Sequence, residues 1–220
     1  GSRAVTRFQT PVVVLGNLSV GGTGKTPVVI ALVRALEARG LRCGVVTRGY
    51  RGHASSGVRL LEASGNGAPP DPALHGDEPA LIAGATGVPV AVCIDRVAAA
   101  QALVARGIDI VISDDGLQHY RLGRSLEIAV VDAARGLGNG HLLPAGPLRE
   151  PVARLRETDW ILLNGTPSRR CLDQLAAITP ARDLLRFELV AAPAIALRAG
   201  ADGTRRQRPL ASFAGSPVHA

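Results

Sequence analysis

Apolar residues along the chain gather in short runs: residues 11–15, 43–47, 88–94, 108–113, 126–132 and 160–163 are each rich in Val, Ile and Leu. Each run is too short for a helix. Continuous rather than alternating apolarity marks a strand buried on both faces, the habit of a parallel sheet covered by helices. Between the runs the period changes to that of a helix. Residues 25–39 place Val28, Val29, Leu32, Val33 and Leu36 on one face, and Gly40 supplies the stop. Pro27 is tolerated in the first turn, where its missing N–H has no intrahelical partner to lose. Residues 78–85 and 95–106 read as two further helices, the second closed by Gly107. The alternation predicts an α/β fold with a parallel β-sheet flanked by helices.

Three stretches break this pattern. Residues 49–75 hold many Gly, Pro, Ser and Ala with little periodicity, and residues 133–149 contain four Gly and two Pro between two predicted strands. Long loops of this kind inside a domain are expected to be functional lids or poorly ordered segments. Residues 198–208 turn polar and basic and read as a hairpin or linker. The expected organisation is therefore a lead-in over 1–10 whose Gly1-Ser2 is a cloning remnant, a main domain over 11–197, and a linker with the start of a truncated second domain over 198–220. The chain holds no Met, so trimming at its start is expected.

Composition narrows the partners. Aromatic residues make up only 3% of the chain, which leaves no stacking platform for single-stranded nucleic acid and argues against a nucleic-acid partner. The net charge of +7 comes from 24 Arg and one Lys against 18 acidic residues. Scattered arginine reads first as surface solvation and second as attraction to a phosphate-rich or lipid surface. The three Cys are an odd number, far apart and without a C-x-x-C pair. A disulfide framework or zinc knuckle is not expected, and a reducing compartment fits. No apolar stretch approaches the ~18–20 residues of a membrane span. No obligate protein partner is evident.

The chemistry begins immediately after the first run, at Gly16-Asn17-Leu18-Ser19-Val20-Gly21-Gly22-Thr23-Gly24-Lys25-Thr26, which opens the first amphipathic helix. Strand, Gly-rich turn and helix N-terminus are the context of a P-loop, in which successive backbone N–H groups turn toward phosphate oxygens. This makes the expected fold P-loop NTPase-like, of Rossmann type. Residues Ser19, Val20, Gly21, Gly22, Thr23, Gly24, Lys25 and Thr26 form the expected nucleotide-binding run. Lys25 reaches the β/γ-phosphates and Thr26 offers its hydroxyl to Mg²⁺. Ser19 stands where the usual pattern has its first Gly. A chain that uses Arg 24 times has its sole Lys here, where a compact ammonium rather than a planar guanidinium must sit against phosphate. A guanine-specific N-K-x-D box needs a second Lys, so the expected nucleotide is ATP.

Asp114 and Asp115 close the run at 108–113, where a P-loop enzyme holds an acid toward its Mg²⁺. Adjacent strand residues point opposite ways, so one of the pair addresses the metal and the other orients it or a water. A plain turn cap is the alternative. Asp77 and Glu78 precede Pro79 at a helix start, with Asp77 in the N-cap position. The pair reads either as a cap or as the base and metal ligand of a kinase. Arg48, Gly49 and Tyr50 follow a predicted strand and suit an acceptor's anionic group. Arg96, Gln118, His119, Arg149 and Glu150 lie at element ends, where a surface or capping role competes with a functional one.

Six segments together, GNLSVGGTGKTP (16–27), TRGYRG (47–52), GDEP (76–79), DR (95–96), SDDGLQHYRL (113–122) and LLPAGPLREP (142–151), resemble the tetraacyldisaccharide 4'-kinase family of the lipid A pathway in Gram-negative bacteria. The resemblance runs over most of residues 11–165. It implies ATP-dependent, Mg²⁺-assisted phosphorylation of the 4'-hydroxyl of a tetraacyldisaccharide 1-phosphate at the cytoplasmic face of the inner membrane. By matching motif positions it implies Asp77 as general base beside Lys25 and Asp115, with Thr26, Glu78, Asp114 and Glu150 serving the metal. Arg96, Gln118, His119 and Arg149 then orient nucleotide and acceptor, and Arg48, Gly49 and Tyr50 line the acceptor side. An anionic membrane surface becomes the partner of the arginines. The family also carries an N-terminal hydrophobic segment and a second domain with a histidine that supports the catalytic carboxylate. These 220 residues begin after the first and stop before the second, and His219 is not that histidine, so nucleotide binding with weak transfer is expected. The competing reading is a P-loop switch ATPase of partitioning or metal-insertion type, which dimerises over nucleotide and hydrolyses it without an acceptor.

Overall fold

The sheet that the apolar runs predict is present in the structure, a computed structural model that describes residues 4–48, 57–62, 71–178, 184–190, 193–195, 204 and 206–213. The runs become β1 (Val12–Gly16), β2 (Cys43–Thr47), β4 (Val90–Val92), β5 (Ile110–Ser113), β6 (Leu126–Asp132) and β7 (Trp160–Asn164). Two strands were not expected: β3 (Arg59–Leu61), inside the Gly-rich stretch, and β8 (Leu184–Phe187). The order is β3-β4-β2-β5-β1-β6-β7-β8. Pairing is parallel except at the edge, where β3 runs antiparallel to β4.

Helices cover both faces, and the alternation along β1 shows how. Val12 and Val14 pack in a cluster with Leu117, Leu103 of α4 (Arg96–Val104) and Leu175 of α5 (Arg169–Ala176). Val13 and Leu15 pack on the opposite face with Val29 and Val33 of α1 (Lys25–Glu37) and Ile82 of α3 (Asp77–Thr86). The strand is buried at every position, so each of its Val and Leu side chains contributes about 1.5–3 kcal/mol relative to exposure whichever way it points. That is why its sequence is continuously apolar. Asn17 is the first polar residue after it, and there the chain leaves the sheet.

Helix starts follow local chemistry. Asp95 caps α4, its Oδ1 accepting from the N–H groups of Val97 at 3.0 Å and Ala98 at 3.4 Å. Ser168 caps α5 through the N–H of Cys171. At α3 the expectation is corrected: Gly76, with φ +91°, occupies the N-cap and Asp77 is the first helical residue. A short helix α2 (Pro72–His75) precedes it. In the first turn of α3 the carboxylates of Asp77 and Glu78 complement the helix dipole without capping it.

Chain order reverses at β1, whose neighbours are β5 and β6. A crevice beyond the carboxyl ends of the strands at such a point is where α/β sheets bind ligands. Residues 133–149, expected as a lid or a poorly ordered segment, instead form a series of tight turns that docks on the loop after β1. Val20 N–H donates to Pro147 O at 2.8 Å and Arg149 N–H to Leu18 O at 2.6 Å. The expected lid at 49–75 carries β3 and α2, and residues 49–56 and 63–70 of it lie outside the described residues. The lead-in packs on the same unit, with Thr6 N–H donating to Arg121 O at 2.8 Å.

The backbone clusters into two compact units, Gly1–Phe187 and Glu188–Ala220. Within the second, β9 (Ala194–Ile195) pairs antiparallel with β10 (Gln207–Arg208), and a 3₁₀ turn follows over Leu210–Phe213. Among the described residues no helix is long and apolar enough to cross a membrane.

Candidate active site

At the end of β1 the backbone passes so close to Leu117 that a Cβ on Gly16 would lie 2.6 Å from Leu117 Cγ. Asn17, buried beneath the following loop, donates from Nδ2 to Ser19 O at 2.7 Å and to Gly21 O at 3.4 Å. Its Oδ1 accepts from Lys25 Nζ at 3.1 Å. Gly21 and Gly24 adopt φ of +98° and +85°, which L side chains resist. Among the described residues the N–H groups of Gly22, Thr23 and Gly24 find no acceptor. This is a concave set of free donors at a helix N-terminus, suited to phosphate oxygens. Val20 departs from the expected set: its N–H is spent on Pro147 O, so it is not an open phosphate donor.

The two acids after β5 separate, although not by strand alternation. The strand ends at Ser113, and Asp115 turns away through the left-handed region with φ +49°. Its carboxylate meets Lys25 Nζ at 3.4 Å and Arg149 Nη1 at 3.0 Å. Burial opposes its ionisation, but these two cations outweigh burial and hold it below the usual range. Asp114 is buried at 1% exposure, and its Oδ1 has no hydrogen-bond partner. Burial and the charge of Glu78 push its carboxyl up to about 6. A buried, unpartnered carboxylate oxygen is expensive unless something cationic completes it.

A cleft of about 820 Å³ opens over this loop, lined by Val20, Gly21, Gly22, Lys25, Thr47, Arg48, Asp77, Glu78, Arg96, Asp115, Gln118, His119 and Arg149. All six segments of the sequence reading converge on it. Gln118 Nε2 ties one wall together, donating to Asn17 O at 3.3 Å and to Glu150 Oε2 at 2.7 Å. Glu150 does not itself line the cleft: its other oxygen accepts from the Tyr120 hydroxyl. Arg96, the first residue of α4, is almost fully buried. It donates to Cys93 O at 2.9 Å and to Asp114 O at 3.4 Å, while Nε is unpartnered. Burial lowers its pKa to about 10, so the guanidinium stays charged at neutral pH. Gly49 and Tyr50 lie outside the described residues.

His119 is half-buried beside cations. Burial, then Arg96 and Arg48, lower its pKa to about 4, so it is a neutral imidazole in the working range. Because the unfolded chain takes up this proton first, stability falls as pH drops from about 6.5 toward 4. The raised carboxyl of Asp114 works in the opposite sense over part of this window. The difference between His119→Gln and the parent therefore isolates the imidazole: the urea midpoint lost between pH 7 and pH 5 is expected to be smaller in the variant.

No three carboxylate, His or Cys side chains gather tightly enough to hold a metal by themselves among the described residues. Mg²⁺ keeps waters and phosphate oxygens and needs only one or two protein ligands. The orphaned Oδ1 of Asp114 and the Thr26 hydroxyl in the first turn of α1 fit that requirement. Residues that the sequence reading missed also surround the loop. Asn17 grips it from below, and Arg135 and Asn164 touch its outer carbonyls. Tyr120 bridges Glu150 to the buried Arg154–Glu127 pair. A signal existed for two of these neighbourhoods: Asp132 and Asn164 are polar residues that end the apolar stretches of β6 and β7, as Asp114 follows β5.

The sequence model of the family described as Tetraacyldisaccharide-1-P 4'-kinase (LpxK) matches residues 1–218. The chain belongs to this family. Among curated LpxK relatives, the tetraacyldisaccharide 4'-kinase of Alkalilimnicola ehrlichii is 50% identical over 214 residues, and that of Bordetella petrii 51% over 217. Each alignment covers 97% of this chain and 58% of the relative. The chain thus spans a little over half the length of these relatives. A crystal structure of LpxK from Aquifex aeolicus, in complex with ATP, superposes with a TM-score of 0.68 at 28% identity, covering 98% of this chain and 64% of that one. Hydrogenase maturation factor HypB from Archaeoglobus fulgidus superposes with a TM-score of 0.51 at 11% identity and 81% coverage of each chain, a likeness of fold alone.

Proposed function

We propose that this chain is the nucleotide-binding part of a kinase that transfers the γ-phosphoryl group of ATP to the 4'-hydroxyl of a tetraacyldisaccharide 1-phosphate. The observation that carries the reading is the single cleft in which open N–H groups of the loop after β1, the cations Lys25 and Arg149, and the first-turn carboxylates of α3 face one another. Phosphoryl transfer asks for little covalent help and much positioning and charge. The loop and Lys25 take the phosphates, and Asn17 together with Asp115, which is itself paired with Arg149, holds the Lys25 ammonium in the cleft. Asp77 accepts the proton of the acceptor hydroxyl as its oxygen bonds to the γ-phosphorus. The bond to the β,γ-bridging oxygen breaks, and ADP leaves. Asp114 and Thr26 would hold Mg²⁺, with the charge of Glu78 close to Asp114, and the ion would neutralise charge on the phosphates; Glu150, engaged by Gln118 and Tyr120, would act on the cleft wall rather than on the ion. Arg48, Arg96, Gln118 and His119 orient nucleotide and acceptor.

The acceptor is a phosphorylated lipid, and the net charge of +7 supports attraction to the anionic surface in which it resides, at the cytoplasmic face of the inner membrane. The 220-residue chain is expected to bind MgATP and to transfer weakly. The test is phosphate transfer from MgATP to a tetraacyldisaccharide 1-phosphate acceptor, by this chain and by a version extended to the length of its relatives. Acceptor-dependent transfer by the longer version supports the reading. ATP hydrolysis indifferent to the acceptor in both, with nucleotide-dependent dimerisation, would replace it with the switch ATPase.

A further inference from the structure

Three consecutive carbonyls of the phosphate-binding loop are each held by a side chain from the end of a different strand. Gly21 O accepts from Asn17 Nδ2 at 3.4 Å, after β1. Gly22 O accepts from Arg135 Nη2, just after β6. Thr23 O accepts from Asn164 Nδ2 at 3.2 Å, at the end of β7. In a trans peptide the C=O of one residue and the N–H of the next point in opposite directions. Fastening the Gly22 carbonyl therefore aims the Thr23 N–H the other way, and fastening the Thr23 carbonyl does the same for the Gly24 N–H. These are the N–H groups left without acceptors.

Both grips on the outer side are themselves fixed. Asp132 Oδ2 accepts from Arg135 Nε at 2.8 Å, while Asp132 Oδ1 accepts from the N–H groups of Ala134 and Arg135, each at 3.0 Å. The guanidinium lies close enough to the loop that a Cβ on Gly21 would stand 3.2 Å from its Nη1. Asp132 and Asn164 are register partners across β6 and β7, and Ala133 N–H donates to Asn164 O at 3.0 Å. Neighbouring strand ends thus deliver neighbouring grips.

We propose that Arg135 and Asn164 are positioning residues for triphosphate binding, which hold the loop's carbonyls outward so that its N–H groups converge on phosphate. Glycines make this loop free to turn, and a binding site that must order its own backbone loses affinity to that ordering. The two side chains do the ordering before the ligand arrives. The inference rests on the nucleotide half of the functional reading and is independent of the acceptor.

Calorimetric titration of MgATP and of magnesium tripolyphosphate into the parent chain, Arg135→Ala, Asn164→Ala and Asp132→Asn tests it. Each alanine variant is expected to bind both ligands about tenfold more weakly, with the ligand-free melting temperature unchanged. Asp132→Asn keeps the acceptor for the turn but loosens the guanidinium, so a smaller loss in the same direction is expected, and it serves should an alanine variant fail to fold. Unchanged affinity in all three, or a loss that appears only with a matching drop in melting temperature, overturns the proposal. Absence of tripolyphosphate binding by the parent overturns it together with the nucleotide half of the reading. Triphosphate binding that is lost in the variants supports it even if no lipid is phosphorylated, a result that would overturn the acceptor half alone.

Discussion

Replacing Lys25 with alanine is expected to weaken MgATP binding at least about a hundredfold and to bring phosphate transfer to background. The ammonium stands where three demands meet. It donates to Asn17 Oδ1 at 3.1 Å and pairs with Asp115 at 3.4 Å, so it is already held at the loop before any phosphate arrives. It is the chain's sole lysine among 25 basic residues. Its removal leaves Asp115 balanced by Arg149 alone beside the phosphates, so the variant loses an attraction and uncovers part of a repulsion at once. Lys25→Arg is expected to fail nearly as badly. A guanidinium is longer, planar and broader than an ammonium, and cannot direct a compact charge into the turn between Asn17 and Asp115. Calorimetry on both variants checks this, with the melting temperature showing that the fold persists. A Lys25→Ala protein that binds MgATP within a few-fold of the parent would remove the loop from the phosphate site.

How much of this was legible beforehand depends on the range over which each signal acts. β2 and β6 fall where the apolar runs lie, and β1, β5 and β7 within a residue or two, because a strand buried on both faces is apolar at most positions and leaves a recognisable run, Glu127 of β6 being buried only with Arg154 against it. The loop after β1 was legible for a different reason: the Gly residues, the Lys and the helix start are contiguous, so one local window holds the whole device. Asp114 and Asp115 were found by the same logic. Their division of labour was not, since it follows from Asp115 entering the left-handed region after the strand has ended, not from strand alternation.

What escaped notice depends on contacts distant in the chain. β3 is three residues of a Gly-rich stretch and becomes a strand only because Arg59 to Leu61 meet β4 at the open edge of the sheet. β8 has two exposed residues in four and carries no continuous run. Arg135 and Asn164 lie more than a hundred residues from the carbonyls they hold, and nothing in their neighbourhoods spells phosphate. Residues 133–149 looked loose because they are rich in Gly. Yet Gly138, at φ +61°, has its Cβ position 2.6 Å from Pro147 Cγ, so there the small residue serves close packing rather than freedom.

Asp77→Asn is expected to lower the rate of phosphate transfer by about 10²–10⁴-fold while leaving MgATP affinity within about threefold of the parent. Asparagine keeps the size and a hydrogen-bonding oxygen but cannot take up a proton, so the substitution separates chemistry from binding. The position suits the role. Asp77 is the first residue of α3, exposed in the cleft and not consumed as a cap, because Gly76 fills the N-cap with a φ of +91°. A carboxylate whose oxygens were spent on the helix would be a poor base, and this one is not so engaged. Glu78 is the natural control, since it shares the cleft and the first turn of α3 and its charge acts on Asp114. Glu78→Gln should change the dependence of the rate on Mg²⁺ concentration more than the rate at saturating Mg²⁺. Asp77→Asn should do the reverse. If Glu78→Gln instead abolishes the rate at saturating Mg²⁺ and Asp77→Asn does not, the proton goes to Glu78, and Asp77 is left with the helix dipole as its only partner in the first turn.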